Sequence, residues 1–224
     1  SPPPSVQREY ARLAAEERAL SADLEAERSA PSRTRDGFDI PLYLNTGLVL
    51  ESNGGGGEEM AAGVGLYRTE LPFMVRDRFP GEEVQRANYR RVLEAFAPRP
   101  VVMRTLDIGG DKPLPYFPVE ESNPFLGWRG IRVTLDHPEI LLAQVRAMLK
   151  ANAGLGNLRI MLPMVSNIPE LEEALELVNR CHRELQQEGI DMPRPPIGVM
   201  VEVPSAVYQA RALARRVDFL SVGS

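Results

Sequence analysis

The stretch LRIMLPMVSNIPELEEALELVNRCHRELQQEGIDMPRPPIGVMVEV (158–203) carries the pattern that decides the fold. It opens with an apolar run over 158–164, continues as an amphipathic helix and closes with a second apolar run over 197–203. Short apolar runs of this kind are typical of buried strands. A connection long enough to hold a helix can return the second strand parallel to the first. The stretch therefore predicts a β–α–β unit.

The same alternation of strands and helices extends along most of the chain. Four more strands are predicted at 38–46, 63–69, 100–106 and 217–223. The intervening helices begin at Pro80-Gly81-Glu82-Glu83, Asp136-His137-Pro138-Glu139, Ser166 with Glu170, and Pro204-Ser205. Apolar strands that alternate with helices indicate a parallel α/β fold, which is either a barrel or an open doubly wound sheet.

The positions of the polar residues favour the barrel. Arg68, Arg104 and Glu202 lie at or just after the carboxyl ends of predicted strands, where (β/α)8 barrels build their active sites. A complete barrel has eight strands and about 250 residues. We therefore expect a (β/α)8 TIM barrel over 36–224, incomplete at the C-terminus and limited to about six βα units.

Residues 1–35 are expected to form a linker helix and a loop. The helix is predicted over 6–28, with an apolar stripe along one side. That stripe requires a partner surface, either on its own domain or on something to which a linker helix leads. Its members are Val6, Tyr10, Leu13, Leu20 and Leu24.

Composition narrows the functional classes. The 224 residues are 43% hydrophobic and 25% charged, as in ordinary soluble globular proteins. The net charge of -5 argues against nucleic acid as the main partner. Cys181 is the single cysteine, which excludes a disulfide within the chain, and no apolar run approaches the roughly 18 residues of a membrane span. We expect a cytoplasmic protein without a membrane partner.

Three arginines point to an anionic ligand. Guanidinium groups bind phosphate and carboxylate oxygens through paired hydrogen bonds and stay charged at any working pH. Their convergence on one pocket would imply a small, highly negative ligand. They are Arg68 in GVGLYRTELPFM (63–74), Arg104 in VVMRTLDIGGDKPLPYF (101–117) and Arg129 in NPFLGWRGIR (123–132).

Carboxylates and a lysine accompany these arginines. Glu202 ends an apolar strand, where its charge requires compensation by a divalent cation such as magnesium or by an ion pair with an arginine. Asp107 and Asp111 are interpreted as residues that orient the arginines or shape the loop, with metal binding as the alternative. The GGDK segment brings Lys112 either to a ligand, which its glycines would let the backbone approach, or only into a turn. Trp128 is predicted to be a core residue.

Four segments, YRTE, RTLDIGGDK, NPFLGWR and VMVEVPSA, together resemble the phosphoenolpyruvate-binding domain of enzyme I of the bacterial phosphotransferase system. The resemblance runs in order from about Asp36 to Ser224. ELPFM, APRP and EVPSAVYQA look most like the nitrogen-branch enzyme I. The segment 51–60 departs from the first helix that is usual in the family.

The resemblance implies a role for each site residue. Arg68 and Arg104 would bind the phosphate of phosphoenolpyruvate, Arg129 and Lys112 would belong to the same substrate site, and Glu202 would be a ligand of Mg²⁺. The second magnesium ligand, the cysteine that protonates the enolate and the histidine that accepts the phosphoryl group have no counterpart here. No catalytic residue is therefore assigned within this segment, which alone is expected to be inactive.

The activity implied by the resemblance is a phosphoenolpyruvate-protein phosphotransferase. It would transfer the phosphoryl group to a histidine of an upstream domain, and from there to a histidine-bearing phosphocarrier protein in a relay of the nitrogen-regulatory type. The full-length protein would be a homodimer. The alternatives are a domain of the phosphoenolpyruvate synthase or pyruvate phosphate dikinase type, a module that senses phosphoenolpyruvate without turnover, and a metal-dependent aldolase or lyase barrel.

Overall fold

The structure is a computed structural model, which describes residues 3–27, 30, 32–47, 61–110, 112, 114–118 and 126–223, with the backbone alone at 18–27. Asp111, the segment 51–60 and the side chains of Leu20 and Leu24 lie outside the described residues. The chain forms two compact units, Ser1–Leu42 and Tyr43–Ser224.

The first unit contains one long helix, α1 (Pro4–Glu27), which confirms the helix predicted at 6–28. Its side chains Val6, Tyr10 and Leu13 are 53%, 75% and 51% exposed. After the helix, the backbone of this unit forms an antiparallel bridge between Arg33 and Asp39, whose side chains are joined by an ion pair of 2.6 Å.

The second unit is a parallel sheet covered by helices. Its strands are β1 (Leu44–Thr46), β2 (Val64–Arg68), β3 (Val101–Arg104), β4 (Leu158–Leu162), β5 (Ile197–Val201) and β6 (Phe219–Val222). Its helices are α2 (Leu71–Met74), α3 (Glu82–Phe96), α4 (Ile131–Asp136), α5 (Pro138–Asn152), α6 (Ile168–Gln187) and α7 (Pro204–Leu213). Five of the strands predicted from the sequence are confirmed at their places, whereas the one predicted at 38–46 forms only over Leu44–Thr46.

The order of the strands decides between the two candidate architectures. Each strand pairs in parallel with the next strand along the chain, so that the sheet order is β1-β2-β3-β4-β5-β6. A doubly wound sheet reverses its strand order at a switch point, and the described strands contain no such reversal. The curled sheet is therefore built from six consecutive units of a (β/α) barrel, which confirms the predicted fold class.

The two faces of the sheet have different surroundings. The outward residues of the strands, such as Tyr67, Met103 and Val199, pack with the helices in the main core. The inward residues form a separate apolar layer that includes Met161 and Met200. Because side chains alternate along a strand, each inward row continues towards the carboxyl end of its strand. The residues two positions beyond this layer are Arg68 after Leu66, Arg104 after Val102 and Glu202 after Met200.

The start of α6 corrects one detail of the sequence analysis. The N-cap is Asn167 rather than Ser166, and its side chain accepts a hydrogen bond of 2.9 Å from the backbone N–H of Glu170. The Glu170 carboxylate in turn accepts a bond of 2.8 Å from the backbone N–H of Ser166. The predicted pairing of Ser166 with Glu170 thus exists, but the capping side chain is the next residue.

Gly63, directly before β2, provides a test of the packing of this strand. Its φ is +150°, and an added Cβ would lie 2.2 Å from the carbonyl oxygen of Pro100. We predict that Gly63→Ala lowers the free energy of unfolding by about 3 kcal/mol, because a backbone carbonyl cannot move aside. The matched control is Gly154→Ala, whose φ of +76° is also positive but whose Cβ would meet nothing within 4 Å. That control should cost about 1 kcal/mol in denaturant unfolding, and equal losses would contradict the assigned contact.

Candidate active site

An open cavity of about 660 Å³ lies at the carboxyl ends of the strands. Four of the five site residues predicted from the sequence line it, namely Arg68, Arg104, Lys112 and Glu202. Arg68 and Arg104 are directly opposite each other, since they form the last paired position of β2 and β3. The parallel register therefore brings these two guanidinium-bearing residues to the same edge of the sheet.

A fully buried carboxylate, Asp107, organises the cations. Its Oδ1 accepts a bond of 3.0 Å from Arg129 Nε. Its Oδ2 lies 2.9 Å from Lys112 Nζ and 3.2 Å from Arg104 Nη2. Burial alone would raise the pKa of Asp107, but the hydrogen bond from Arg129 and the charges of Arg104 and Lys112 outweigh it and lower the pKa to about 2. The preferred interpretation of Asp107 as a residue that orients arginines is confirmed.

Glu70 is a second anchor, which the sequence analysis did not assign. It is 1% exposed, and its Oε1 accepts bonds of 2.6 Å from Arg104 Nη2 and 2.7 Å from Lys112 Nζ. The available signal was its position between the end of β2 and the apolar turn of α2, which places a carboxylate where burial requires a cation. Two carboxylates thus hold three cations, which leaves the cluster one positive charge in excess.

Arg68 differs from the other cations of the site. It is exposed at the end of β2, and no ion pair joins it to any residue that the structure describes. Arg104, by comparison, is 5% exposed and is bonded to both anchors. Arg68 therefore adds a second positive charge, and its guanidinium is accessible to an anion in the cavity.

Glu202 is half-buried and lines the same cavity as Arg68, Arg104 and Lys112. Burial raises the pKa of Glu202. The backbone N–H of Met164, which donates to Glu202 Oε1 at 2.8 Å, and the charges of nearby arginines lower this pKa, but the net shift is upward. Within the described part of the chain, no arginine or lysine lies within 4.0 Å of this carboxylate. The direct ion pair between Glu202 and an arginine, which the sequence left as an alternative, is therefore absent among the described residues.

Gly109 and Lys112 pair through their backbones beside the segment that carries Arg129. The backbones of Gly109 and Lys112 bond to each other in both directions, at 3.1 and 3.3 Å. Gly109 has a φ of +109°, and an added Cβ would lie 2.8 Å from the carbonyl oxygen of Trp128. Gly109 thus allows its backbone to approach the segment that carries Arg129.

The remaining candidate residues have structural roles. Trp128 packs beside Phe117 and His137, with ring centroids 5.9 and 5.8 Å away, but it is only partly buried at the edge of a small apolar cluster, so the core position predicted for it is not fully reached. Cys181 is buried in α6, where desolvation raises the pKa of its thiol to about 11. Such a thiol is protonated at neutral pH and is a poor nucleophile. No cluster of three or more histidine, cysteine, aspartate or glutamate residues that could hold a metal occurs among the described residues.

Comparisons with known proteins identify the family of the chain. Residues 21–224 match the family described as PEP-utilising enzyme, PEP-binding domain. The chain is 50% identical over 224 residues to a protein of Escherichia coli (strain K12) named "Phosphoenolpyruvate-dependent phosphotransferase system", covering 100% of this chain and 30% of that protein.

Two further relatives are named phosphoenolpyruvate-protein phosphotransferase, which denotes a transferase. The protein of Staphylococcus carnosus is 46% identical over 204 residues, covering 90% of this chain and 35% of the relative. The protein of Haemophilus influenzae is 43% identical over 205 residues, covering 91% and 35%. The chain spans about a third of the length of these relatives. Over the part that it spans, the chain belongs to the family of phosphoenolpyruvate-binding domains of PEP-utilising enzymes.

Proposed function

We propose that this chain binds phosphoenolpyruvate in the cavity at the strand ends and supports transfer of its phosphoryl group to a histidine of another domain. The observation that carries the proposal is the pairing of Arg68 with Arg104 at the last register position of β2 and β3, beside Lys112 and Glu202 in one cavity. The names of the relatives, which include both phosphoenolpyruvate and the phosphotransferase reaction, support the proposal.

The charges of the site suit this ligand. Phosphoenolpyruvate carries a phosphate and a carboxylate, and the cation cluster together with Arg68 offers two positive charges beyond those that Glu70 and Asp107 neutralise. Arg68 and Arg104 would bind the phosphate, and Arg129 and Lys112 would complete the substrate site. Because the anchors hold the cations in place before the ligand arrives, little reorganisation is required as charge shifts during transfer.

The roles of the two arginines differ in kind. Arg68 is exposed, so that binding a phosphate costs it no existing ion pair among the described residues. Arg104 is already bonded to Glu70 and Asp107, and would contribute through its fixed position and its remaining N–H groups. Its Nε is buried without a partner in the described part of the chain, which leaves a donor to be satisfied.

Glu202 fits one ligand position of a magnesium ion. Its half-buried carboxylate has no cation partner among the described residues, a condition that a bound divalent ion would relieve. Magnesium commonly takes one or two carboxylates together with phosphate oxygens and water. When bound, the ion would neutralise charge on the transferring phosphoryl group. The residues of this chain would hold the substrate, and the backbone N–H of Met164 would orient the Glu202 carboxylate beside it.

The further parts of the proposal concern the longer protein. We infer that the phosphoryl group passes to a histidine-bearing phosphocarrier protein, that the relay is of the nitrogen-regulatory type, and that the full-length protein is a cytoplasmic homodimer. The nitrogen-type assignment is supported by the segments ELPFM, APRP and EVPSAVYQA. In the described part of the chain, every helix is too short or too polar to cross a bilayer.

Substitution of Arg68 tests the binding of the phosphate. We predict that Arg68→Ala raises the Kd for phosphoenolpyruvate by about 10- to 100-fold, since a hydrogen bond to a charged group contributes about 1.5–3 kcal/mol. Calorimetric titration at fixed Mg²⁺ measures this change. Arg215→Ala, which removes an exposed arginine away from the cavity, is the control and should leave the Kd unchanged. An equal Kd for both variants would overturn the assignment of Arg68.

Substitution of Glu202 tests the metal. We predict that Glu202→Gln abolishes the increase in phosphoenolpyruvate affinity that Mg²⁺ produces in the parent chain, whereas Glu173→Gln, on the exposed face of α6, retains it. In the parent chain, acidification should abolish that increase as Glu202 becomes protonated. Because burial raises the pKa of Glu202, this loss should occur at a higher pH than for an ordinary glutamate. A Mg²⁺ effect that persists in Glu202→Gln would contradict the proposed ligand.

The stability of the same variant has a predictable sign. A carboxyl group whose folded pKa is raised stabilises most below its unfolded pKa and loses that contribution as pH rises through the folded pKa. We therefore predict that Glu202→Gln is more stable than the parent at pH 7 without metal, and that the difference shrinks on acidification. Denaturant unfolding of both proteins at pH 7 and at acidic pH measures this difference in stability. A less stable variant at pH 7 would show that the Glu202 charge is compensated in the fold.

The transfer step separates the proposed activity from two of the alternatives, the sensing module and the lyase or aldolase barrel. In a protein that joins this chain to a histidine-bearing domain, label from ³²P-phosphoenolpyruvate is predicted to reach a histidine, as an acid-labile and base-stable phosphoryl group. Binding without labelling would indicate the sensing module. Consumption of phosphoenolpyruvate without labelling of the protein would indicate a lyase or aldolase reaction.

A further inference from the structure

We propose that Gln144, on α5, is a positioning residue that fixes the relative placement of the strand ends carrying Arg68, Arg104 and Asp107. The inference rests on the proposed function, since it concerns the same phosphate site. Gln144 does not line the cavity. It acts through the backbone and side chains that follow β2 and β3.

Gln144 is a polar residue among apolar neighbours on the buried face of α5. It is 0% exposed, and its neighbours on α5, Leu141, Val145 and Met148, are also fully buried. An apolar residue would fill this position without the cost of desolvating an amide. The amide is accommodated because it makes three hydrogen bonds within the core.

Those bonds reach the ends of two strands. Gln144 Oε1 accepts a bond of 2.7 Å from the backbone N–H of Leu106, the residue directly before Asp107. Gln144 Nε2 donates to the hydroxyl of Thr69, the residue directly after Arg68, at 3.1 Å. The Thr69 hydroxyl in turn donates to the carbonyl oxygen of Arg104 at 2.8 Å.

This side-chain bridge begins where the backbone ladder ends. Arg68 and Arg104 form the last paired position between β2 and β3. On the other side of β3, the backbone pairing continues one residue further, because Thr105 donates to the carbonyl of Met161 at 2.9 Å. Between β2 and β3, Thr69 and Gln144 provide the next connections and so determine how far apart the two arginine-bearing ends lie.

The network requires an amide at position 144. Tyr89 donates its hydroxyl hydrogen to Gln85 Oε1 at 3.0 Å, and Gln85 Nε2 donates to the carbonyl of Pro80 at 2.8 Å. Tyr89 and Thr69 have therefore committed their hydrogens elsewhere and need a donor from residue 144. Leu106 needs an acceptor. A glutamine supplies both, whereas an ionised glutamate lacks the donors and a methionine lacks the donors and offers only a weak acceptor.

The test compares two buried glutamines of this network. Gln144→Met keeps the side-chain length and removes all three bonds, and is expected to raise the Kd for phosphoenolpyruvate by at least about fivefold, since small misplacements of binding groups are costly. Gln85→Met removes a glutamine that is 4% exposed and whose side chain, among the described residues, bonds to Pro80 and Tyr89. It should leave the Kd within about twofold. An unchanged Kd for Gln144→Met would overturn the inference.

A second readout does not depend on phosphoenolpyruvate. The Nε–H group of Arg129 bonds to Asp107, so its ¹H–¹⁵N resonance reports the position of the residue that follows Leu106. We expect this resonance to shift in Gln144→Met and to stay in place in Gln85→Met. An unshifted resonance in both variants would overturn the inference. Failure of the parent chain to bind phosphoenolpyruvate would count against the proposed function alone, and the resonance would then decide on Gln144.

Thr69→Val provides an independent variant if Gln144→Met does not fold. It replaces a fully buried hydroxyl that bridges Gln144 and Arg104, and is expected to reproduce the loss of affinity and the shifted Arg129 resonance. The control is Thr134→Val, another fully buried threonine, whose hydroxyl bonds to the carbonyl of Ile131 within its own helix. Similar results for the two valine variants would contradict the assigned role of the bridge.

Discussion

The site depends on one buried interaction, the contact of the Asp107 carboxylate with Arg104, Lys112 and Arg129. These three cations come from different segments: the end of β3, the turn that follows it and the loop before α4. A buried charge is costly unless it is paired and hydrogen-bonded. Asp107 meets that condition only when all three segments are in place. The geometry of the anion site is thus a consequence of completing this part of the fold.

The two carboxylates at this edge of the sheet have opposite pKa shifts, and their neighbours explain the difference. Asp107 receives hydrogen bonds and charge from cations, so its pKa is lowered to about 2 despite burial. Glu202 is also desolvated, but among the described residues its hydrogen bond is to a backbone N–H group, and its pKa is raised. Divergent pKa values in one site separate roles. Asp107 is paired with cations of the protein, whereas Glu202 has no cation partner among the described residues.

The sequence predicted the strands and the arginines more fully than the groups that hold them. Six apolar runs separated by helix-start signals were sufficient for the strands, because a parallel sheet covered by helices requires such runs. Arg68, Arg104 and Glu202 were found because they lie at or just after the carboxyl ends of apolar runs. Glu70 was missed, because local sequence does not show that a charged residue after a strand will be buried against a lysine 42 residues away.

Gln144 shows the same limit from the other direction. Its sequence context is a helix with buried apolar positions on one face, and a polar residue on such a helix ordinarily faces solvent. Only the three-dimensional arrangement brings it to Thr69, 75 residues earlier, and to Leu106, 38 residues earlier. The buried amide therefore connects the ends of two strands, and those ends carry Arg68 and Arg104, which line the cavity.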